Sequence, residues 1–146
     1  MTLLRTQIKL LLNRQQLAVL ATATADQPYT SLVAFASTDD LKRLAFATLT
    51  GTKKYANLLA NPKISLLIDS RVNESSDFNQ AEAVTALGVI AWELANSVQF
   101  KKLYLAKHPY LEDFIAHPDC SLLVVSVERY YYVSKFQQVE TLDFSS

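Results

Sequence analysis

Glycine is nearly missing from this chain of 146 residues, with Gly51 and Gly88 the only two. Neither a GxGxxG dinucleotide fingerprint nor a Walker loop can be assembled from them, so a nucleotide, if bound, is held another way. Cys120 is the single cysteine, and His108 and His117 are the only histidines. That excludes an internal disulfide and leaves too few ligands for a Cys/His zinc site, so no metal is expected and a reducing cytoplasm suits the composition. Net charge is missing as well: 14 basic side chains balance 14 acidic ones. No long-range field draws nucleic acid or an anionic membrane, and any anion site must be local. Long apolar runs are absent too. Leu10 to Leu12 and the LAVL and ATATA stretches imitate a signal peptide, but Asn13, Arg14, Gln15 and Gln16 interrupt them. The segment therefore predicts neither a leader nor a membrane span.

What is present is an apolar half, enough for one domain over 1–146 with a real core. Leu3, Leu4, Ile8, Leu11 and Leu12 predict an amphipathic helix over 2–13. Strands follow over 17–25, 29–37 and 43–50, joined by the Asp26-Gln27-Pro28 cluster and the polar STDDLKR turn. A helix from Thr52 precedes a strand over 63–70, and the polar stretch 71–80 reads as a mobile loop. A long strand over 83–94 leads into helices over 94–107 and 110–116. Strands over 121–136, long enough to need a bend, and 139–144 complete the chain. Six or seven strands with inserted helices predict a mainly β fold, a closed or nearly closed antiparallel barrel without exposed edges.

The stretch TLTGTKKYANLLANP, residues 48–62, places two lysines in the first turn of a helix. Thr52 is an apt N-cap, Tyr55, Leu58 and Leu59 recur at helical spacing, and Pro62 follows the end. Cations oppose the helix dipole there by roughly 0.3–1 kcal/mol each. A bound phosphate would reverse that sign, since free N–H groups, a Thr hydroxyl and ammoniums would converge on it. Solvated lysines are the plain alternative. The other chemistry-bearing residues have structural readings: helix-end caps for His108 and His117, a small core residue for Cys120, local backbone bonding for Asp39 and Asp40. Tyr130 and Tyr132 face opposite to Tyr131 in a strand, as core or ligand-facing rings. Trp92 and Tyr104 can stack on a planar ligand or pack among apolar neighbours.

Element order and several residues resemble the FMN-binding split barrels of the pyridoxamine 5'-phosphate oxidase type. The family's Gln-Pro turn before its second strand is matched by Gln27, Pro28 and Tyr29, and its aromatic and threonine in the third strand by Phe46 and Thr48. Its Ser-Arg-Lys helix start, Leu, Asn-Pro and Ser-Leu-Leu strand are matched by Thr52, Lys53 and Lys54, by Leu58, by Asn61 and Pro62, and by Ser65, Leu66 and Leu67. The resemblance implies an antiparallel split β-barrel of the FMN-binding type. It implies that Thr52, Lys53 and Lys54 hold the FMN phosphate, while Ser31, Leu32, Val33 and the Thr48 hydroxyl flank the ring and ribityl chain. It implies a homodimer with flavin between subunits, and an oxidoreductase acting on a small-molecule substrate or electron donor, with Trp92 and Tyr104 on the substrate side. Other readings within the fold are a deazaflavin or haem binder, and a non-catalytic flavin-binding or sensing protein. Departures from the family are Ser31 and Ala36 for an Arg and a Lys, Ala47 for a Tyr, Ala83 for a Gln and His108 for an Arg. With the family's C-terminal Arg and His segment missing as well, a true pyridoxamine phosphate oxidase is not expected.

Overall fold

Strict alternation of side chains along the strands separates an inner from an outer surface, and the computed structural model, which describes residues 2–144, closes that inner surface on itself. Helix α1 (Leu3–Arg14) is followed by β1 (Leu17–Thr24), β2 (Gln27–Ser37) and β3 (Arg43–Leu49), then α2 (Lys53–Ala60) and β4 (Lys63–Asp69). Next come α3 (Asp77–Gln80), β5 (Ala83–Ile90), α4 (Val98–Lys107), α5 (Glu112–Ala116), β6 (Cys120–Ser134) and β7 (Gln138–Asp143). The sheet order is β3-β2-β1-β4-β5-β6-β7, and an additional β3–β6 ladder closes the first six strands into an antiparallel barrel. Strand β6 serves both architectures. Its first half, Cys120 to Ser126, pairs with β3, and its second half, from Arg129, pairs with β7.

The barrel interior is filled by Leu20, Phe35, Leu44, Phe46, Leu66, Ile68, Val84, Tyr130 and Tyr132, with Ile8, Leu11 and Leu12 of α1 packed into the same cluster. A second cluster lies outside the barrel, where Phe100 and Tyr104 of α4 and Ile115 of α5 cover Ala36, Ala45 and Ala47. Alanines at those outward positions let the helices approach the strand backbone closely. The bend required in β6 is a bulge: Leu87 pairs with Arg129 but Gly88 with Val127, leaving Glu128 extra. Gly88 is needed there, because a Cβ would stand 2.5 Å from the Ser126 carbonyl oxygen.

Several boundaries differ from the sequence reading, the start of β2 at Gln27 in place of Tyr29 among them. Strand β5 stops at Ile90 and a 3₁₀ turn spans Trp92–Leu94. The helix predicted from 94 begins only at Val98. Asn96 causes the delay: it takes φ 60 and exchanges backbone and side-chain hydrogen bonds with Leu122, which a helix could not accommodate. Residues 71–80, read as a loop, contain α3, organised by the Asp77 carboxylate accepting the N–H groups of Val72, Asn73 and Glu74. The last hairpin turns through Lys135 and Phe136 at φ 48 and 69, so β6 ends before Phe136. Among the described residues, no helix is long and apolar enough to cross a membrane.

Candidate functional site

Strands β2 and β3 hold register only from Phe35–Phe46 to Ser37–Leu44. Beyond Phe35 they part, β2 staying on β1 and β3 staying on β6 as far as Leu49–Cys120. The edges of Leu32, Val33 and Ala34 and of Ala47, Thr48 and Leu49 therefore border a gap instead of pairing with one another. A cavity of about 320 Å³ lies in this split. Thr52 and Lys54 of the α2 start form its polar mouth, Tyr104 is a buried part of its lining, and Leu111 and Phe114 of the helical layer are half-buried apolar walls.

The mouth is built by helix capping. Thr52 Oγ1 accepts from the Tyr55 N–H at 3.3 Å, donates to the Leu49 carbonyl at 2.8 Å and stands 3.1 Å from Thr48 Oγ1. The N–H groups of Lys53 and Lys54, ahead of the first intrahelical acceptor, stay open, and no acidic residue occupies that turn. Asn57 fixes the helix to the barrel: its Nδ2 donates to Thr22 Oγ1 at 3.0 Å and its Oδ1 accepts from Thr24 Oγ1 at 2.8 Å. Lys54 is the one charged side chain among the described residues on the cavity wall. Lys53 leans the other way, its ammonium 5.9 Å from the centroid of the Tyr29 ring.

Within that lining Tyr104 is only 1% exposed. Burial pushes its phenol up to about 12, Cys120 adds to the rise, and the Ala47 backbone amide partly offsets it. The Tyr104 ring packs on His108 with centroids 5.1 Å apart. His108 is itself buried, its Nε2 2.7 Å from the Phe35 carbonyl oxygen. This histidine does end α4, but its ring is a buried tether to β2, not a solvated cation on the helix dipole. His117 Nδ1 accepts the Asp119 N–H. Asp40 accepts from the Thr38 hydroxyl and the Lys42 N–H, which hold its carboxyl below the usual carboxylate range. Among the described residues no group of three or more His, Cys, Asp or Glu is placed to hold a metal ion.

The structure thus brings Leu32, Val33, Thr48, Thr52, Lys54 and Tyr104 together around one cavity. Ser31, in phase with Val33 and Phe35, is off that wall, its Oγ buried without a partner. Trp92 is elsewhere, edge-on to Tyr55 at 6.1 Å. Ala34, Leu49, Leu111 and Phe114 were missed by sequence reasoning. The available signal was the i, i+3 spacing of Leu111, which ends a 3₁₀ turn, and Phe114 of α5.

Comparison with known proteins agrees with this architecture. A haem-binding protein from Mycobacterium smegmatis superposes with a TM-score of 0.84 at 18% identity, over 98% of this chain, which spans 59% of the length of that protein. General stress protein 26 from Bacillus anthracis matches at TM-score 0.72 and 18% identity, over 98% of this chain and all of its own. An FAD-binding protein from Mesorhizobium loti matches at TM-score 0.67 and 17% identity, over 87% of this chain and 90% of its own. At these identities the likeness is one of fold, the split barrel, and no curated protein sequence matches the chain. Sequence family is a separate matter: the model of the pyridoxamine 5'-phosphate oxidase family matches residues 4–134, and the chain belongs to that family.

Proposed function

We propose that the chain binds FMN in the split between β2 and β3 and acts as an FMN-dependent oxidoreductase on a small molecule. The observation that carries this reading is the polarity of the cavity, with a cation, two hydroxyls and open helix N–H groups at its mouth and apolar walls within. One phosphate and one planar ring fit that gradient. Lys54, Thr52 and the first-turn amides would hold the phosphate, with Lys53 adding charge at longer range. The Thr48 hydroxyl and the edges of Leu32 and Val33, with Ser31 behind them, would flank the ribityl chain and ring. FMN, when bound, supplies the redox chemistry, taking hydride or electrons from a donor. The protein's part is orientation and exclusion of water by Leu49, Leu111 and Phe114.

A single cation on the wall argues against a vitamin phosphate as the second ligand. Ala36, where the family oxidase has a lysine, is buried beneath α4. The haem reading finds no histidine in this cavity, since neither His108 nor His117 is on its wall. Leu32, 67% exposed at the cavity rim, supports a homodimer in which the second copy covers the ring.

The test is FMN titration followed by fluorescence quenching. Losing a charge-assisted contact worth about 1.5–3 kcal/mol weakens binding tenfold or more in Lys54→Ala. Lys53→Ala, removing an exposed charge, changes it less than about threefold. A wild type that does not quench FMN overturns the reading, and bleaching of the bound flavin by reduced nicotinamide separates a reductase from a passive binder.

A further inference from the structure

The apex of the split, where Ala34 and Ala47 adjoin the last paired residues Phe35 and Phe46, lies along β3 away from the α2 start that carries the lysine. At about 3.3 Å per strand residue, Ala47 is roughly 10 Å along β3 from the turn that starts α2. Tyr104 reaches this apex from α4. Its ring is held by His108 and its hydroxyl oxygen faces the Ala47 amide. Among the described residues nothing accepts the hydroxyl proton; the ring is buried, and Tyr104 reaches open space only on the cavity wall. A donor that opens onto the cavity is free to be taken up by a bound molecule, and an amide donating toward its oxygen strengthens it as a donor.

We propose that Tyr104 determines what the apex of the cavity accepts: its O–H donates to a neutral acceptor on the bound molecule, a ring carbonyl or an unprotonated ring nitrogen, and a second phosphate is refused there. This deepens the FMN reading and rests on it. An anion at the apex would be buried away from Lys54 against a phenol that stays protonated, an arrangement with no compensating charge. A flavin-type heterocycle supplies both carbonyl oxygens and unprotonated nitrogens, whereas a purely hydrocarbon ring would leave the hydroxyl unpaired. Tyr104 is accordingly a specificity residue for the ring, distinct from the phosphate-holding group at the helix start.

The experiment compares FMN with riboflavin, which has the same ring without the phosphate, on wild type, Tyr104→Phe and Lys54→Ala. Tyr104→Phe is expected to weaken both ligands by a similar factor, about tenfold, and to shift the visible absorption of the bound flavin. Lys54→Ala is expected to weaken FMN alone, and pyridoxal phosphate to compete no better than inorganic phosphate. Wild-type affinity and an unchanged spectrum in Tyr104→Phe would overturn the assignment of Tyr104 while leaving the flavin reading intact. Loss of FMN binding without loss of riboflavin binding would place Tyr104 at the phosphate and overturn it too, as would strong competition by pyridoxal phosphate that Tyr104→Phe abolishes. Failure of the wild type to bind either flavin overturns the flavin reading first and this one with it. Should Tyr104→Phe melt several degrees below wild type, the tyrosine ultraviolet resonance Raman spectrum of wild type with and without FMN reads the same hydrogen bond. A new donor signature supports the proposal, and unchanged tyrosine bands overturn it.

Discussion

Lys107 carries its charge into the seam between α1, α4 and β2. Its Nζ donates to the Leu12 carbonyl at 2.8 Å and stands 3.9 Å from the centroid of the Phe35 ring. Burial brings its pKa down from 10.5 to about 8. Between those values the unfolded chain holds a proton that the folded chain has released, so stability rises with pH across that interval. Tyr104 has the opposite sign. Its folded value of about 12 exceeds the ordinary 10, so above pH 10 the unfolded chain ionises first and stability falls. Tyr130 and Tyr132, also pushed up by burial, add to the fall. Calorimetric melts from pH 7 to 11 are expected to show Tm rising to a maximum near pH 9–10 and dropping beyond it. Lys107→Met should flatten the rise and leave the drop; a rise that survives the substitution would count against Lys107 as its source. Residue chemistry of this kind was partly legible in the sequence. Thr52 and Lys54 declared themselves because capping is local, whereas the environment of Lys107 depends on three elements meeting.

At the scale of elements, the β1–β2 hairpin turns on Ala25 and Asp26, at φ 50 and 63. A two-residue turn of this hand favours Asn followed by Gly, and L side chains other than Asn and Asp adopt it reluctantly. Ala25→Asn with Asp26→Gly is expected to stabilise the protein by about 1 kcal/mol, a gain of roughly 3–5 °C in Tm. An unchanged or lowered melting temperature would show that the turn stores no relievable strain. The strands flanking this turn carry Thr22 and Thr24, the two residues that grip Asn57 of α2. The turn was placed too late in the sequence reading, at Asp26-Gln27-Pro28, because Ala25 is not a typical turn former and Pro28 drew attention downstream. Strands β1 to β4 and helix α2 were readable from periodicity and capping alone. The end of β5, the start of α4 and the presence of α3 were not, since Asn96 and Asp77 set them through specific side-chain bonds that no hydrophobic period records. Leu111 and Phe114 reach the cavity through the packing of α4 and α5 on an alanine-lined sheet, which is again a tertiary effect.

For the molecule as a whole, the exposed Leu32 at the cavity rim makes the dimer testable. Sedimentation is expected to show two copies associated, and Leu32→Glu to shift the population toward monomer with weaker FMN binding. A monomeric wild type that binds FMN tightly would remove the second copy from the site. The closed barrel also has a history written into its ladder order. Phe46 finds its partner in Leu123, about half the chain away, and the β3–β6 ladder is the one that shuts the sheet. During synthesis, β1 to β4 and α2 emerge first and have nothing to close against until β6 leaves the ribosome. Throughout that interval β3 offers an unpaired edge bearing Leu44 and Phe46, a template for the wrong neighbour. Such distant pairing folds slowly, so the time for which that edge stays open is set by the arrival of β6, the strand that holds β3 in place beside the cavity.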